Sequence, residues 1–244
     1  GKLVGSVDGL MGHLGCIAFN REDGRVYGSL EYKNDSIGRG ILGALGSDAQ
    51  LENAFYIAIF DVDKIDRMDM DAEKDGIMTS VYLEEVAKDY EGTGRNRKGD
   101  EVAHRYGCSG IDGTTFGPIP GSPKGSKQYL MVCYGIYSDL DRDDNDNQVT
   151  LCYDVSHWAK YERPLSQFAM HRCGPEKPEH KYFTYTGNTR WGVQNFEYDP
   201  YRHVYFMTVY YGKKERFPNY HLFLVDASVA PKVGNIPGLE EEGE

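Results

Sequence analysis

Short runs of aromatic and β-branched residues recur along the chain, and glycine-rich stretches separate them. Three of these runs carry tyrosine at their second and seventh positions. Aromatic and β-branched residues are enriched in strands, so each run predicts a β-strand. The three runs are VYGSLEY (Val26–Tyr32), QYLMVCY (Gln128–Tyr134) and VYFMTVY (Val204–Tyr210).

Each of these runs lies between an opening stretch that contains glycine and a later apolar run that contains aspartate. The openings MGHLGCIAF, AHRYGCSGIDG and TRWGVQNF align on Gly15, Gly107 and Gly192, at spacings of 92 and 85 residues. Three copies in the same order indicate an internal repeat. The later runs are YIAIFDV (Tyr56–Val62), TLCYDV (Thr150–Val155) and HLFLVDA (His221–Ala227).

A fourth strand is predicted ahead of each opening glycine. KYFTYTGNTRWG (Lys181–Gly192) resembles KLVGSVDGLMGHLG (Lys2–Gly15) in its extended start and glycine turn. Ahead of Gly107, MTSVYLEEVAKDY (Met78–Tyr90) has apolar residues at 78, 82, 86 and 90, a spacing that favours a helix. The glycine-rich stretch Gly92–Glu101 predicts a loop.

Four antiparallel strands per repeat are typical of a β-propeller blade. We therefore expect an all-β fold with about three four-stranded blades over residues 1–237 and an acidic tail over 238–244. A β-sandwich is the alternative. Propellers close with about four to eight blades, so we expect a larger propeller, completed by a further segment or another chain. Long insertions between strands are expected at Ser36–Glu52, Lys64–Glu101, Gly117–Ser126 and Ala159–Glu179.

Composition limits the classes of partner. The chain has 244 residues, and its 27 Lys and Arg against 38 Asp and Glu give a net charge of −11, which argues against a nucleic-acid surface. We expect no membrane span, because no apolar run approaches about 20 residues. The five cysteines lack metal-type spacing. The sequence starts with glycine and shows no leader, which leaves a secreted and a cytoplasmic location both open.

The openings also carry candidate chemistry. If the first strand of each repeat lines a central channel, the polar side chains ahead of the glycines meet at the mouth of that channel. There an arginine can bind a carboxylate, and a histidine can act as a base or a metal ligand. Capping of carbonyl groups or pairing with aspartate is the structural alternative. The residues are His13, His104, Arg105, Tyr106, Arg190 and Trp191, with Ser109 and Gln194 further along the same strands.

The loop SDLDRDDNDNQ (Ser138–Gln148) concentrates acidic and amide side chains. Asp141, Asp143, Asn145 and Asp146 offer oxygen ligands to a hard cation such as calcium. Aspartate and asparagine also favour turns, so a solvated turn is the alternative.

Two segments resemble bacterial propeller-repeat proteins: YGIYSDLDRDDNDNQVTLCYD (Tyr134–Asp154) and HRYGCSGIDG (His104–Gly113). Propellers of the carbohydrate-active type include polysaccharide lyases, metal-dependent sugar deacetylases and noncatalytic scaffolds. The resemblance implies a carbohydrate partner and raises the expectation of a carbohydrate-active enzyme.

The expected function is metal-assisted hydrolysis of a glycan, such as deacetylation, at the channel mouth. The alternatives are a polysaccharide lyase and a noncatalytic propeller that binds a glycan or a protein. The expected roles are catalysis for His104, Arg105, Tyr106 and Arg190, substrate binding for Trp191, Ser109 and Gln194, and divalent-metal binding for His13 and His104.

Overall fold

The structure is a computed structural model that describes residues 1–50, 52–187 and 190–244. Thr189, the first residue of the third opening, lies outside the described residues. The chain divides into two compact units. The first comprises Gly1–Glu84 and Ser156–Glu176, and the second comprises Glu85–Val155 and Lys177–Glu244.

Strands predominate among the described residues, which confirms the all-β expectation. The first part of the chain forms β1 (Val7–Asp8), β2 (Ile17–Phe19), β3 (Val26–Tyr32), α1 (Ser36–Leu45), β4 (Ala54–Phe60), β5 (Met70–Asp71), β6 (Met78–Tyr82), α2 (Glu84–Glu91), β7 (Thr93–Arg95) and β8 (Glu101–Ala103). The remainder forms β9 (Cys108–Gly117), β10 (Tyr129–Ile136), β11 (Asn147–Tyr153), β12 (His180–Tyr185), β13 (Val193–Asp199), β14 (Val204–Val209), β15 (Leu222–Asp226), β16 (Gly234–Asn235) and β17 (Glu242–Gly243). Neither described helix is long and apolar enough to cross a membrane.

The first unit is built on an antiparallel sheet in the order β2-β3-β4-β6. Its central strand β4 is apolar and buried at every position, because strands flank it on both sides. The core of this sheet includes Leu30, Tyr56, Met78 and Leu165. Leu165 comes from the distant segment Ser156–Glu176, so that segment contributes to the hydrophobic core of the first unit.

The second unit contains two meander sheets, β9-β10-β11-β12 and β13-β14-β15. The predicted second and third strands of the repeat are present in all three copies, and their ends lie within a few residues of the expected ones. They are β3, β10 and β14, and β4, β11 and β15. The two sheets share one core, in which the rings of Phe196 and Tyr205 stack at 5.1 Å. Gly113 permits this packing, since a Cβ there would lie 2.7 Å from a methyl carbon of Val193.

The second and third openings turn the chain beside the same strand end. Gly107 and Gly192 have φ of 69° and 70°, a region that favours glycine. The Tyr137 amide donates to the Gly107 carbonyl at 2.7 Å, and the Ile136 amide donates to the Trp191 carbonyl at 2.9 Å. Both openings therefore lie at the end of β10.

Three local expectations were wrong. Met78–Tyr90 is not one helix, because Met78–Tyr82 pairs with β4 as strand β6 and only Glu84–Glu91 is helical. Gly92–Glu101 is not a structureless loop, since β7 and β8 form a hairpin. The N-terminal stretch adds no strand to the first sheet, because β1 pairs in parallel with β5.

The acidic loop is buried and bonded to cationic side chains of the chain itself. Asp144, Asn145 and Asp146 are 3%, 0% and 2% exposed, so a solvated turn is wrong for this part of the loop, whereas Asp141 is exposed. Lys214 donates to the Asp146 carboxylate and, at 2.8 Å, to the Asn145 amide oxygen. Arg142 binds both oxygens of Asp144, at 2.8 and 2.7 Å. These contacts place positive charge where calcium was considered.

Burial opposes the charges on this pair, raising the pKa of Asp146 and lowering the pKa of Lys214. Asp146 also accepts a hydrogen bond from the Arg216 guanidinium, so removal of Lys214 leaves the buried carboxylate with one of its two cationic partners. Lys214 thereby ties the segment that precedes β15 to the loop that precedes β11.

We expect Lys214→Met to destabilise the protein by about 2 kcal/mol, because the Asp146 carboxylate loses its ammonium partner and keeps only Arg216. Urea unfolding followed by circular dichroism measures the change. Lys213→Met is the matched control, because Lys213 is exposed and adjacent. Equal unfolding free energies for the two variants would contradict this assignment.

Candidate carboxylate-binding site

The segment before β9 has an unusual backbone. His104 and Tyr106 adopt φ of 66° and 58°, although neither is glycine, and Gly107 follows at 69°. Such conformations cost about 1–3 kcal/mol each and cluster at functional sites. Arg142 holds the segment, since its guanidinium donates to the carbonyls of Ala103 and His104, each at 2.7 Å.

One carboxylate, that of Glu241, is bound by two consecutive residues of this segment. The Tyr106 hydroxyl donates to Glu241 Oε1 at 2.6 Å. The Arg105 guanidinium donates to Glu241 Oε2. Two donors on the two oxygens of one carboxylate form a charge-assisted clamp, a strong type of hydrogen-bonded pair.

The clamp is supported by the aromatic face of Tyr106. The Arg105 guanidinium and the Lys181 ammonium each lie 4.8 Å from the centre of this ring. Phe183 contacts the ring edge-on at 5.2 Å. Burial and the bond to Glu241 raise the pKa of Tyr106, so its hydroxyl stays protonated and donates a hydrogen bond at neutral pH.

Asp89 of α2 holds the cationic side chains of the site, Lys181 and Arg105. Its carboxylate is 1% exposed and accepts from Lys181 Nζ at 2.6 Å and from the Tyr134 hydroxyl at 2.7 Å. Arg105 Nη1 lies 3.9 Å from the other oxygen of Asp89. Burial raises the pKa of Asp89, and Lys181 opposes that rise.

Two open clefts meet at the clamp. One of about 460 Å³ is bordered by Tyr106, His180, Phe183 and the acidic C-terminal residues. The other, of about 520 Å³, is bordered by the β7–β8 hairpin and the loop at Asp143. Arg105 and Glu241 line both clefts. A ligand in either cleft would therefore meet the guanidinium.

His104 is packed beside the clamp. Its ring lies 4.4 Å from that of Tyr90 and 4.8 Å from that of Tyr137. Nδ1 is 2.6 Å from the Tyr90 carbonyl oxygen, so Nδ1 carries the proton and Nε2 is the nitrogen that can accept. This packing fixes the ring, and Nε2 alone would serve a metal or a base role.

The other predicted site residues lie elsewhere. Arg190 covers the indole of Trp191 at 5.6 Å, and neither lines the two clefts. The Gln194 amide group donates to the Val193 carbonyl at 3.2 Å. Ser109 is buried on β9.

His13 belongs to the first unit. Its Nδ1 lies 3.5 Å from Glu31 Oε2, and the Lys33 ammonium lies 3.2 Å from the same oxygen. His13 and Glu31 are potential metal ligands, but Lys33 already supplies positive charge to that carboxylate.

Sequence patterns identified Arg105 and Tyr106 but missed Asp89, Lys181 and Glu241. The four-residue spacing of Glu85 and Asp89 on one helix face was an available signal, since Lys181 binds both, at 2.8 and 2.6 Å. Glu241 was hidden in a run of acids that predicted only a tail.

No family model and no curated protein matches the sequence, and no solved structure matches the fold.

We expect Asp89→Asn to reduce the pH dependence of stability. A carboxyl whose pKa is raised on folding stabilises the protein most below its unfolded pKa, near 3.8, and this contribution is lost as pH rises through the folded value. Wild type should therefore lose stability relative to Asp89→Asn as the pH rises above 3.8. Urea unfolding at several pH values measures it, and a constant difference would contradict the assignment.

Proposed function

We propose that this chain is a propeller-type module that binds an acidic glycan, with the Arg105–Tyr106 clamp holding a sugar carboxylate. The observation that carries the proposal is the bound Glu241 carboxylate. Glu241 presents the same group that a uronic acid carries on its ring, so the clamp is already arranged for such a ligand.

The cleft offers the other contacts that a sugar needs. Tyr106 and Phe183 supply aromatic surface, and Lys181, which is paired with Glu85 and Asp89, borders the same cleft. Aromatic faces pack against sugar rings, while arginine pairs with carboxylate in a planar geometry. A neutral glycan has no carboxylate that could replace Glu241 in the clamp.

The meander order of the sheets supports the propeller part of the proposal. Strands of the repeat are hydrogen-bonded to their neighbours in chain order, as in a propeller blade. The third sheet has three strands among the described residues. A sandwich remains the alternative arrangement of the same sheets.

Binding of de-esterified oligogalacturonide, measured by titration calorimetry, tests the proposal. Arg105→Ala should weaken binding at least tenfold, because a hydrogen bond to a charged group contributes about 1.5–3 kcal/mol. Glu241→Gln should tighten binding about fivefold or more, because the internal carboxylate no longer competes for the clamp.

Arg202→Ala is the matched control, since Arg202 is an exposed arginine paired only locally with Asp199. The fully methyl-esterified oligogalacturonide is the matched ligand, because it keeps the sugar ring but lacks the free carboxylate. Equal binding of the two ligands, or wild-type affinity in Arg105→Ala, would refute the proposal.

A polysaccharide lyase is the second candidate, and the clamp favours it as well. Neutralising a uronate carboxylate makes the proton on the adjacent carbon easier to remove, and loss of that proton expels the glycosidic oxygen. In this candidate we assign His104 Nε2 as the base that takes the proton from carbon, and the Tyr106 hydroxyl as the acid that protonates the leaving oxygen.

If the chain is a lyase, each cleavage of oligogalacturonide creates a carbon–carbon double bond that absorbs in the ultraviolet. Tyr106→Phe and His104→Gln should then abolish turnover, while Arg202→Ala retains it. Binding of the oligogalacturonide without a rise in ultraviolet absorbance would favour the noncatalytic binding module over the lyase. Metal-assisted deacetylation stays a prediction, and metal analysis of the purified protein tests it.

A further inference from the structure

The segment Ser156–Glu176, here called the strap, runs beside the outer edge of β6 in the first unit. The Ser80 amide donates to the Arg163 carbonyl at 2.8 Å, and the Arg163 amide donates to the Ser80 carbonyl at 3.1 Å. Further along, the Tyr82 amide donates to the Cys173 carbonyl at 2.9 Å. Because β4 pairs with the other edge of β6, the strap supplies the backbone partners of the outer edge.

His171 of the strap is fixed by both its backbone and its ring. Its carbonyl accepts from the Tyr56 hydroxyl of β4 at 2.6 Å, and its ring lies edge-on to the Tyr56 ring at 5.3 Å. Its Nε2 lies 2.9 Å from the hydroxyl oxygen of Ser80, a fully buried residue of β6. Its Nδ1 accepts from the Cys173 amide at 3.1 Å. Since the Cys173 carbonyl binds Tyr82, one residue connects the ring to the edge of β6.

These contacts specify one neutral form of the His171 ring. A backbone amide only donates, so Nδ1 carries no proton, and Nε2 carries the proton and donates to Ser80. The ring therefore does not act as a base toward Ser80. A second proton can be added only at Nδ1, where it would face the N–H group of Cys173. Protonation of His171 thus removes the contact between the ring and Cys173.

The surroundings of the ring oppose this second proton. Burial lowers the pKa of His171 from its ordinary value of 6.5, and the guanidinium groups of Arg163 and Arg172 lower it further. Arg172 is itself bonded to Glu52 at 3.0 Å and lies over the ring of Tyr82 at 4.9 Å. The groups that contact His171 or act on its charge are Tyr56 of β4, Ser80 of β6, and Arg163, Arg172 and Cys173 of the strap.

We propose that His171 is an acid-sensitive latch, whose protonation releases residues 171–174 of the strap from the edge of β6. In the closed form this part of the strap is packed directly on the strand, since a Cβ at Gly174 would lie 1.8 Å from the Tyr82 carbonyl oxygen. Leu165 stays in the core of the first unit, so the opening is local. The latch is independent of the proposed glycan site, which belongs to the second unit.

Acid opens the latch because the closed form binds the proton less well than the open form. A histidine whose pKa is lowered on folding contributes its full stabilisation above its ordinary value of 6.5, and this contribution is lost as the pH falls below that value. The opening equilibrium therefore rises by up to about tenfold for each pH unit below 6.5, until the pKa of the closed form is reached.

Amide hydrogen exchange of the intact chain, followed by NMR and expressed as protection factors, tests the latch. The protection factor of the Tyr82 amide should fall at least about fivefold between about pH 7.5 and about pH 5, because this amide loses the Cys173 carbonyl. The protection factor of the Leu83 amide should stay constant, because that amide donates to Phe55 of β4 at 2.8 Å. An equal fall at both amides would indicate global unfolding and overturn the proposal.

Two histidine variants of the strap separate the latch from a structural role. His171→Asn retains an acceptor for the Cys173 amide but cannot be protonated, so the Tyr82 protection factor should no longer change with pH. His157→Asn is the matched control, because His157 is an exposed histidine of the same strap, and this variant should keep the wild-type pH dependence. A pH-independent Tyr82 protection factor in wild type would overturn the proposal whether or not His171→Asn folds. A fall in His171→Asn equal to that of wild type would also overturn it.

Discussion

Buried charge requires a partner, and this requirement organises the second unit. Asp89 and Asp146 are each almost fully buried, and each is bonded to a lysine far away in the sequence. An uncompensated charge at either place would cost several kcal/mol, so helix α2 cannot separate from Lys181 on β12, nor the loop of Lys214 from Asp146, without a large penalty. The packing of the sheets is apolar, whereas the position of the loops is set by ion pairs.

The candidate site is a consequence of the same constraint. Asp89 holds Lys181 and lies close to Arg105, and these two cations lie against the ring of Tyr106. Lys181 also binds Glu85, so each cation of the site has a carboxylate partner within the chain only when Arg105 is paired with Glu241 or lies beside Asp89. Glu241 is the hydrogen-bonded partner of Arg105 within the chain. Strained residues at His104 and Tyr106 are tolerated because Arg142 fixes the carbonyls beside them.

Periodicity in the sequence predicted the strands well and the long-range contacts poorly. Tyrosine-containing runs gave β3, β10 and β14, because a strand needs only local composition. Met78–Tyr90 was misassigned because its apolar residues recur every four positions, as in a helix. Pairing with β4 makes the first part, Met78–Tyr82, a strand. The role of Glu241 depends on a contact with Arg105 across 136 residues, which no local pattern encodes.

The interleaving of the two units constrains the order in which the nascent chain can fold. Leu165 and the strand-like contact of Arg163 with Ser80 belong to the first unit, although β9, β10 and β11 of the second are synthesised before them. The first unit therefore cannot complete its core until residue 176 has left the ribosome. Until then the edge of β6 lacks its contact with Arg163. The early strands of the second unit are synthesised before the first unit is complete, and incompletely folded chains of this kind favour chaperone binding.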